Sequence, residues 1–259
     1  MLDEIVLTKQ QEVEAAKLAL PFDDLKDRLK HHLAERSFRR AVNVPGKLSL
    51  IAELKRKSPS KGTLRERFDP VQLAQSLAEA GAAALSVLTD EFYFGGHLEF
   101  LRDAKQFTEV PVLRKDFVVD PYQVYEAAFH GADAVLLIAR ILTEDVLIAC
   151  MQAADTLGME PFVEVHGESE LKTAVRCGAH VIRINHRDLR TSTLDPNISA
   201  PIIPKVPTGK TIVAESGLQS AAEIKKMKAL GVHAVLIGEA LMTAPDAAAK
   251  VRELFAGTW

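Results

Sequence analysis

The chain has 259 residues, a length that suits a single α/β barrel domain. With 47% hydrophobic and 26% charged residues it can bury a large core, and a net charge of −3 without a long basic run argues against a general nucleic-acid binder. No apolar stretch is long enough to span a membrane, the N-terminus carries Asp3, Glu4, Glu12 and Glu14 and is no signal peptide, and only Cys150 and Cys177 occur, which fits idle thiols in a reducing cytoplasm.

Residues 1–46 read as a helical extension. Leu2, Ile5, Val6, Val13, Ala16 and Leu20 predict an imperfect amphipathic helix, and Pro21 opens a second segment with Phe22, Leu25 and Leu29. Most of this extension is expected to plug the bottom of the barrel, with part of it able to cover the catalytic face. Strands follow at β1 near 48–54, β2 near 84–88, β3 near 111–115, β4 near 134–138, β5 near 161–165, β6 near 181–185, β7 near 211–215 and β8 near 234–238. Four of them, β2, β4, β6 and β8, share one pattern. Gly81, Gly131, Gly178 and Gly231 each precede a short connector and an apolar run, as a left-handed helix C-cap feeding a buried strand would.

Helices fill the gaps. Asp69-Pro70 and Asp120-Pro121 each pair an N-cap with proline at the first helical position. Thr143 is expected to cap a helix reaching Leu157, and Ser220 with Glu223 forms a capping-box pattern. Pro196, Pro201, Pro204 and Pro207 limit any helix between Asn185 and Thr211 to about two turns. Strict alternation implies a parallel sheet, and eight units can close into a (β/α)8 TIM barrel. An open doubly wound sheet is the alternative, but no early Gly-rich dinucleotide fingerprint is present.

The strands β1, β3, β5, β6 and β7 end in charged or amide residues: Glu53 and Lys55, Arg114 and Lys115, Glu164, Asn185, and Glu215. Charge is costly at the end of a buried strand unless it is paired or functional. Parity puts Glu53 with Lys55, Lys115 with Leu113, Glu164 with Phe162, and Glu215 with Val213 on single faces. If those faces point inward, two lysines and three glutamates converge on one mouth, where such a cluster can separate an acid from a base. A compensating ion-pair network is the other reading, and it does not exclude catalysis. The basic loop Lys55 to Gly62 could clamp an anion. Glu215-Ser216-Gly217 and Gly238-Glu239, after β7 and β8, suit backbone binding of a phosphate, although the Glu239 carboxylate would repel it. His31, His32, His166 and His186 are scattered and lack the spacing of metal ligands.

Ile51-Ala52-Glu53-Leu54-Lys55-Arg56-Lys57-Ser58-Pro59-Ser60-Lys61-Gly62 closely resembles the first-strand signature of indole-3-glycerol-phosphate synthases. Ser86 to Asp90 with Tyr93-Phe94, Leu113 to Phe117, Glu164, Asn185 with Arg187-Asp188-Leu189, Ala214 to Gly217 and Leu236 to Met242 extend the resemblance in order over nearly the whole chain. That resemblance implies decarboxylating ring closure and dehydration of a carboxyphenylamino deoxyribulose phosphate in tryptophan biosynthesis, with no metal or organic cofactor. It makes Lys115 the leading general acid, with Lys55 holding the substrate carboxylate and able to share proton transfer. Glu164 would act as acid or base in dehydration, with Glu53 and Asn185 shaping the charge around it. Phe94 and Phe117 would sandwich the aromatic ring. Ser58, Gly217, Gly238 and the backbone of Glu239 would hold phosphate, and Glu215, Ser216 and Arg187 would assist in binding substrate.

Three other readings compete. Phosphoribosylanthranilate isomerases use a cysteine near the first strand tip, where this chain has Glu53-Leu54-Lys55. A Schiff-base aldolase would use Lys115 covalently. A non-catalytic phosphate-ligand binder would need the phosphate loops but not Lys55, Lys115 and Glu164. Association with other enzymes of the pathway is left open. The chain also departs from the family at Arg183, where a glycine is usual. Parity turns Arg183 inward with Asn185, so it must find a carboxylate or water. A pair with Glu164 or Glu215 is expected; a strand shift that turns it outward is the alternative.

Overall fold

A computed structural model describes residues 1–187 and 199–259. Asp188, Leu189 and Pro196 therefore lie outside the described residues. Eight parallel strands close a barrel: β1 (Ser49–Leu54), β2 (Ala84–Leu88), β3 (Val112–Lys115), β4 (Ala134–Ile138), β5 (Glu160–Val165), β6 (Val181–Asn185), β7 (Thr211–Glu215) and β8 (Ala234–Ile237). Each expected strand is present to within a residue or two of its expected ends. Three helices precede β1: α1 (Leu2–Ala19), α2 (Phe22–Arg28) and α3 (Phe38–Val42). Between the strands lie α4 (Pro70–Glu79), α5 (Leu98–Phe107), α6 (Pro121–Phe129), α7 (Glu144–Thr156), α8 (Glu168–Arg176), α9 (Ser199–Ile202) and α10 (Ala221–Ala229). The chain ends with α11 (Glu239–Met242) and α12 (Ala247–Leu254).

Local chemistry sets these boundaries. The side chains of Asp69, Asp120, Thr143 and Ser220 each accept a backbone N–H at the start of α4, α6, α7 and α10, and Asp120 and Ser220 complete capping boxes with Gln123 and Glu223. Gly81, Gly131, Gly178 and Gly231 all have positive φ and turn the chain from helix to strand. Among the described residues before β7, the proline-bearing segment forms only the four-residue α9 and a 3-10 turn at Ile203–Lys205. The basic loop after β1 is not plain coil. Lys57–Ser58 and Gly62–Thr63 pair as a small antiparallel ribbon, with Gly62 at φ 69°.

Alternation divides the strand residues between two cores. Ile51, Leu113, Leu136, Phe162, Val213 and Leu236 point into the barrel, while Leu50, Ala52, Val112, Val163 and Ala214 pack against the helices. The bottom is closed by Phe38 of α3, whose ring meets Phe162 at 5.6 Å. Truncating either buried ring to alanine would cost about 3–5 kcal/mol. The extension does not act mainly as a bottom plug. Leu2 and Ile5 of α1 join the interior cluster with Phe117, and Met1 lines the cavity at the barrel mouth. α1 thus covers the catalytic end, and only α3 seals the bottom. The reason is a polar one: α1 carries Lys9, which is drawn to buried carboxylates just beyond the tips of β2 and β3. Among the described residues no helix is long and apolar enough to cross a membrane.

Candidate active site

The inward faces of β1, β3, β5, β6 and β7 carry Glu53, Lys115, Glu164, Arg183 with Asn185, and Glu215 to one mouth. A cavity there is lined by Lys55, Ser58, Phe94, Lys115, Phe117 and Glu164, and also by Asn185, Arg187, Glu215, Ser216 and Glu239. Glu53, Gly217 and Gly238 line an adjoining cavity that shares Lys55, Arg187 and Glu215 with the first. Every site residue expected from the sequence therefore lines one or both of these two cavities.

The lysines are held by carboxylates. Lys115 reaches Glu53 at 2.7 Å and Glu215 at 3.4 Å, and Lys55 reaches the other Glu53 oxygen at 2.6 Å. Burial alone would push the Glu53 carboxyl up, but the Lys115 and Lys55 ammonium groups outweigh it and hold the carboxyl well below the usual range. Burial would likewise lower the Lys115 pKa, yet Glu215 and Glu53 raise it against an opposing push from Arg183. Lys115 is therefore a protonated, half-buried cation at neutral pH.

Arg183 is 1% exposed and points inward, as parity requires. It pairs with both carboxylates offered to it, through Nη1 with Glu164 and through Nε with Glu215. The strands impose this: Glu164 is in register with Arg183 across β5 and β6, and Glu215 lies one strand further, in register with Asn185. Glu164 also accepts from Asn185 Nδ2 at 3.2 Å and pairs with His166 at 3.1 Å. Burial would raise the Glu164 carboxyl; Arg183 and His166 overcome that and keep it far below its ordinary value. His166 is pushed the other way. Burial disfavours its charge, but Glu164 and Glu170 raise its pKa to about 9. Sequence reasoning set His166 aside with the other scattered histidines. Its spacing of two residues from Glu164, just past the end of β5, was the signal that could have found it.

The turn after β7 is strained. Ser216, which is not glycine, sits at φ 77° beside Gly217 at φ 75°. Its hydroxyl donates to Asn185 Oδ1 at 3.0 Å, and His186 Nδ1 donates to its carbonyl at 2.9 Å. At the other loop, a methyl group on Gly238 would strike the Glu53 carboxylate. The Glu239 side chain is neutralised by Lys61 at 2.5 Å and lies 3.9 Å from Arg187. Its charge is thus compensated by a cation from the loop after β1, which answers the repulsion expected from the sequence.

Phe94 and Phe117 touch each other, with ring centroids 5.9 Å apart and planes tilted by 36°. An intervening ring needs about 7 Å between two faces, twice the ~3.5 Å carbon contact distance. In this structure the two form one apolar wall, and a sandwich would require them to part. Sequence reasoning missed what holds that wall. Asp90 Oδ1 accepts the N–H groups of Tyr93 at 2.7 Å and Phe94 at 3.0 Å, and Asp116 Oδ1 accepts that of Phe117 at 2.8 Å. Lys9 of α1 bridges the two carboxylates at 2.8 Å and 3.1 Å. Among the described residues no cluster of three or more His, Cys, Asp or Glu is arranged to hold a metal.

A sequence-family model described as indole-3-glycerol phosphate synthase matches residues 2–254. The indole-3-glycerol phosphate synthase of Carboxydothermus hydrogenoformans is 42% identical over 98% of this chain and 99% of its own length. That of Desulforamulus reducens is 44% identical over 98% of this chain and 96% of its own. Among solved structures, the 3-hexulose-6-phosphate synthase of Salmonella typhimurium covers 80% of this chain and 96% of its own with a TM-score of 0.65. At 17% identity that likeness is one of fold.

Proposed function

The chain belongs to the indole-3-glycerol phosphate synthase family, and we propose that Lys115 is the acid that drives its ring closure. The reaction converts 1-(2-carboxyphenylamino)-1-deoxyribulose 5-phosphate to indole-3-glycerol phosphate in tryptophan biosynthesis, with loss of carbon dioxide and water. The carrying observation is the pair of lysines, each held on one oxygen of the buried Glu53, beside the Phe94–Phe117 wall.

The aromatic ring of the substrate lies against that wall, and Lys55 receives its carboxylate. The ring carbon that bears the carboxylate attacks the ketone carbon. The Lys115 ammonium passes its proton to the ketone oxygen as the new bond forms. The developing alkoxide is a stronger base than a lysine amine, so the transfer runs downhill even from a lysine whose proton is tightly held. Loss of carbon dioxide restores aromaticity. The remaining hydroxyl then leaves as water, with Glu164 exchanging the proton and Glu53 and Asn185 holding the charge around it. Each placed acid or base contributes about 10²–10⁴-fold, so the ordered charges of the mouth must supply the rest by preorganisation.

Ser58, Ser216, Gly217, Gly238 and the Glu239 backbone hold the phosphate, with Arg187 and Glu215 lining the path to it. Compensation of Glu239 by Lys61 supports this placement, because it offsets a repulsive charge beside the loop that carries Gly238. Residues 1–46 serve as a covering extension to a single barrel. A cytoplasmic location fits two free cysteines, Cys150 and Cys177. The test is direct: the purified chain and the carboxyphenylamino ketose phosphate should give indole fluorescence with stoichiometric carbon dioxide. No fluorescent product from a folded protein would reject the reading.

A further inference from the structure

Eight side chains cross the mouth in alternating charge. Glu170 meets His166 at 3.3 Å and His166 meets Glu164 at 3.1 Å. Arg183 joins Glu164 to Glu215, Lys115 joins Glu215 to Glu53, and Lys55 closes the row on Glu53. Arg183 is the link between the half that contains Glu164 and the half that contains Lys115. It is also the member least able to change charge, since a guanidinium keeps its proton at any working pH.

We propose that Arg183 is a positioning residue for this reaction: its guanidinium bridges Glu164 and Glu215, fixes their relative placement and confines Glu164 to accepting a proton. Without the clamp, two carboxylates projecting from β5 and β7 would face each other across β6, and their repulsion would make Glu164 easier to protonate. The charges around Glu164 all bear on this. Arg183 and Asn185 approach from β6, His166 from just beyond β5, and Lys115 acts from β3. Glu215 on β7 faces it across the guanidinium, Glu170 of α8 lies behind His166, and Arg140 pairs with Glu170 at 2.8 Å. Two cations in direct contact keep the resting Glu164 ionised at neutral pH, so that it enters the step as the acceptor.

The inference rests on the assignment of the dehydration to this mouth and narrows it. Glu164 takes the proton from the ring methylene beside the nitrogen. That C–H electron pair becomes the new C=C bond of the indole, and the C–O bond breaks. The hydroxyl leaves as water with a proton from a lysine ammonium of the same row. One carboxylate gains a proton and one ammonium loses one, so charge is conserved within the row.

The test uses the full chain and three variants: Arg183→Gly, Arg183→Lys and Glu164→Gln, the last assigning the Glu164 signal. The carboxyl groups of ¹³C-labelled glutamates are titrated by NMR. In the parent chain Glu164 should stay ionised through the acid range in which the protein is folded. In Arg183→Gly its midpoint should rise by about one pH unit or more. The acid limb of the kcat profile should move with it, with kcat down about tenfold and KM changed less than about threefold. Arg183→Lys keeps the charge but reaches only one carboxylate. It should fold if the glycine variant does not, show a smaller shift in the same direction, and recover part of kcat. A folded variant in which neither the Glu164 midpoint nor the acid limb moves would overturn the proposal. If the parent chain forms no indole, the functional reading fails by itself, while the NMR titration still decides whether Arg183 clamps Glu164.

Discussion

Replacing Lys9 with methionine should destabilise the protein by about 3 kcal/mol, the low end of the cost of orphaning a buried charge. The Lys9 ammonium is buried and sits 2.8 Å from Asp90, 3.1 Å from Asp116 and 2.7 Å from the more exposed Glu12. Burial would drive its proton off, but Asp116 and Asp90 hold it and raise its pKa. After the substitution Asp116 is still served by Arg114 at 3.2 Å, by Thr89 at 2.5 Å and by the Phe117 N–H at 2.8 Å. Asp90 keeps only its Oδ1 contacts with Tyr93 and Phe94 among the bonds described above, and its Oδ2 loses the cation. The penalty therefore falls mainly on Asp90. Urea unfolding followed by circular dichroism measures it, and in a chain of this size the melting temperature should fall by about 6–12 °C. The double variant Lys9→Met/Asp90→Asn should recover half or more of the loss, because the amide carries no charge. KM should rise in Lys9→Met, since Asp90 fixes the Phe94 backbone. A loss below about 1 kcal/mol, or strict additivity of the two substitutions, would refute the argument.

Two further outcomes follow from the mouth. Gly238→Ala places a methyl group against a Glu53 carboxylate that two lysines hold in place, so kcat/KM should fall at least about 100-fold. Gly167→Ala, where the added carbon meets nothing within 4 Å beyond its own chain neighbours, is the matched control and should stay near the parent value. His166 has its pKa raised from 6.5 to about 9, so its charged form stabilises the fold fully below pH 6.5 and loses that contribution as pH rises through about 9. The stability difference between the parent chain and His166→Asn, read by urea unfolding, should shrink by about 3 kcal/mol between pH 6 and 10, and a difference independent of pH would contradict this.

Much of the barrel was legible because its signals are local. Glycine caps, Asp-Pro starts and capping boxes act within a few residues, and strand parity alone carried Glu53, Lys115, Glu164 and Glu215 inward. Parity also fixed the direction of Arg183. It could not show that the guanidinium would fork to two strands at once, because that depends on the register of β5, β6 and β7. Lys9 is a different failure. It sits in the Leu2–Ile5–Lys9–Val13 stripe of α1, a cation on an apolar face, but its buried partners Asp90 and Asp116 lie more than 80 residues away along the chain. The expectation that most of the extension plugs the bottom failed for α1 for the same reason: periodicity reports an apolar face, not which end of a barrel it covers. The compensation of Glu239 by Lys61 is likewise a contact between distant loops. The Phe94–Phe117 wall is a matter of ring spacing, which a sequence does not encode locally.

The central claim is that the Lys115 ammonium is the acid of ring closure. Steady-state turnover of Lys115→Ala, followed by indole fluorescence with the carboxyphenylamino ketose phosphate, tests it most directly. The account predicts a kcat lower by about 10²–10⁴-fold with KM changed far less, because the lost interaction belongs to proton transfer rather than to binding. Near-parent turnover in the folded variant would contradict it.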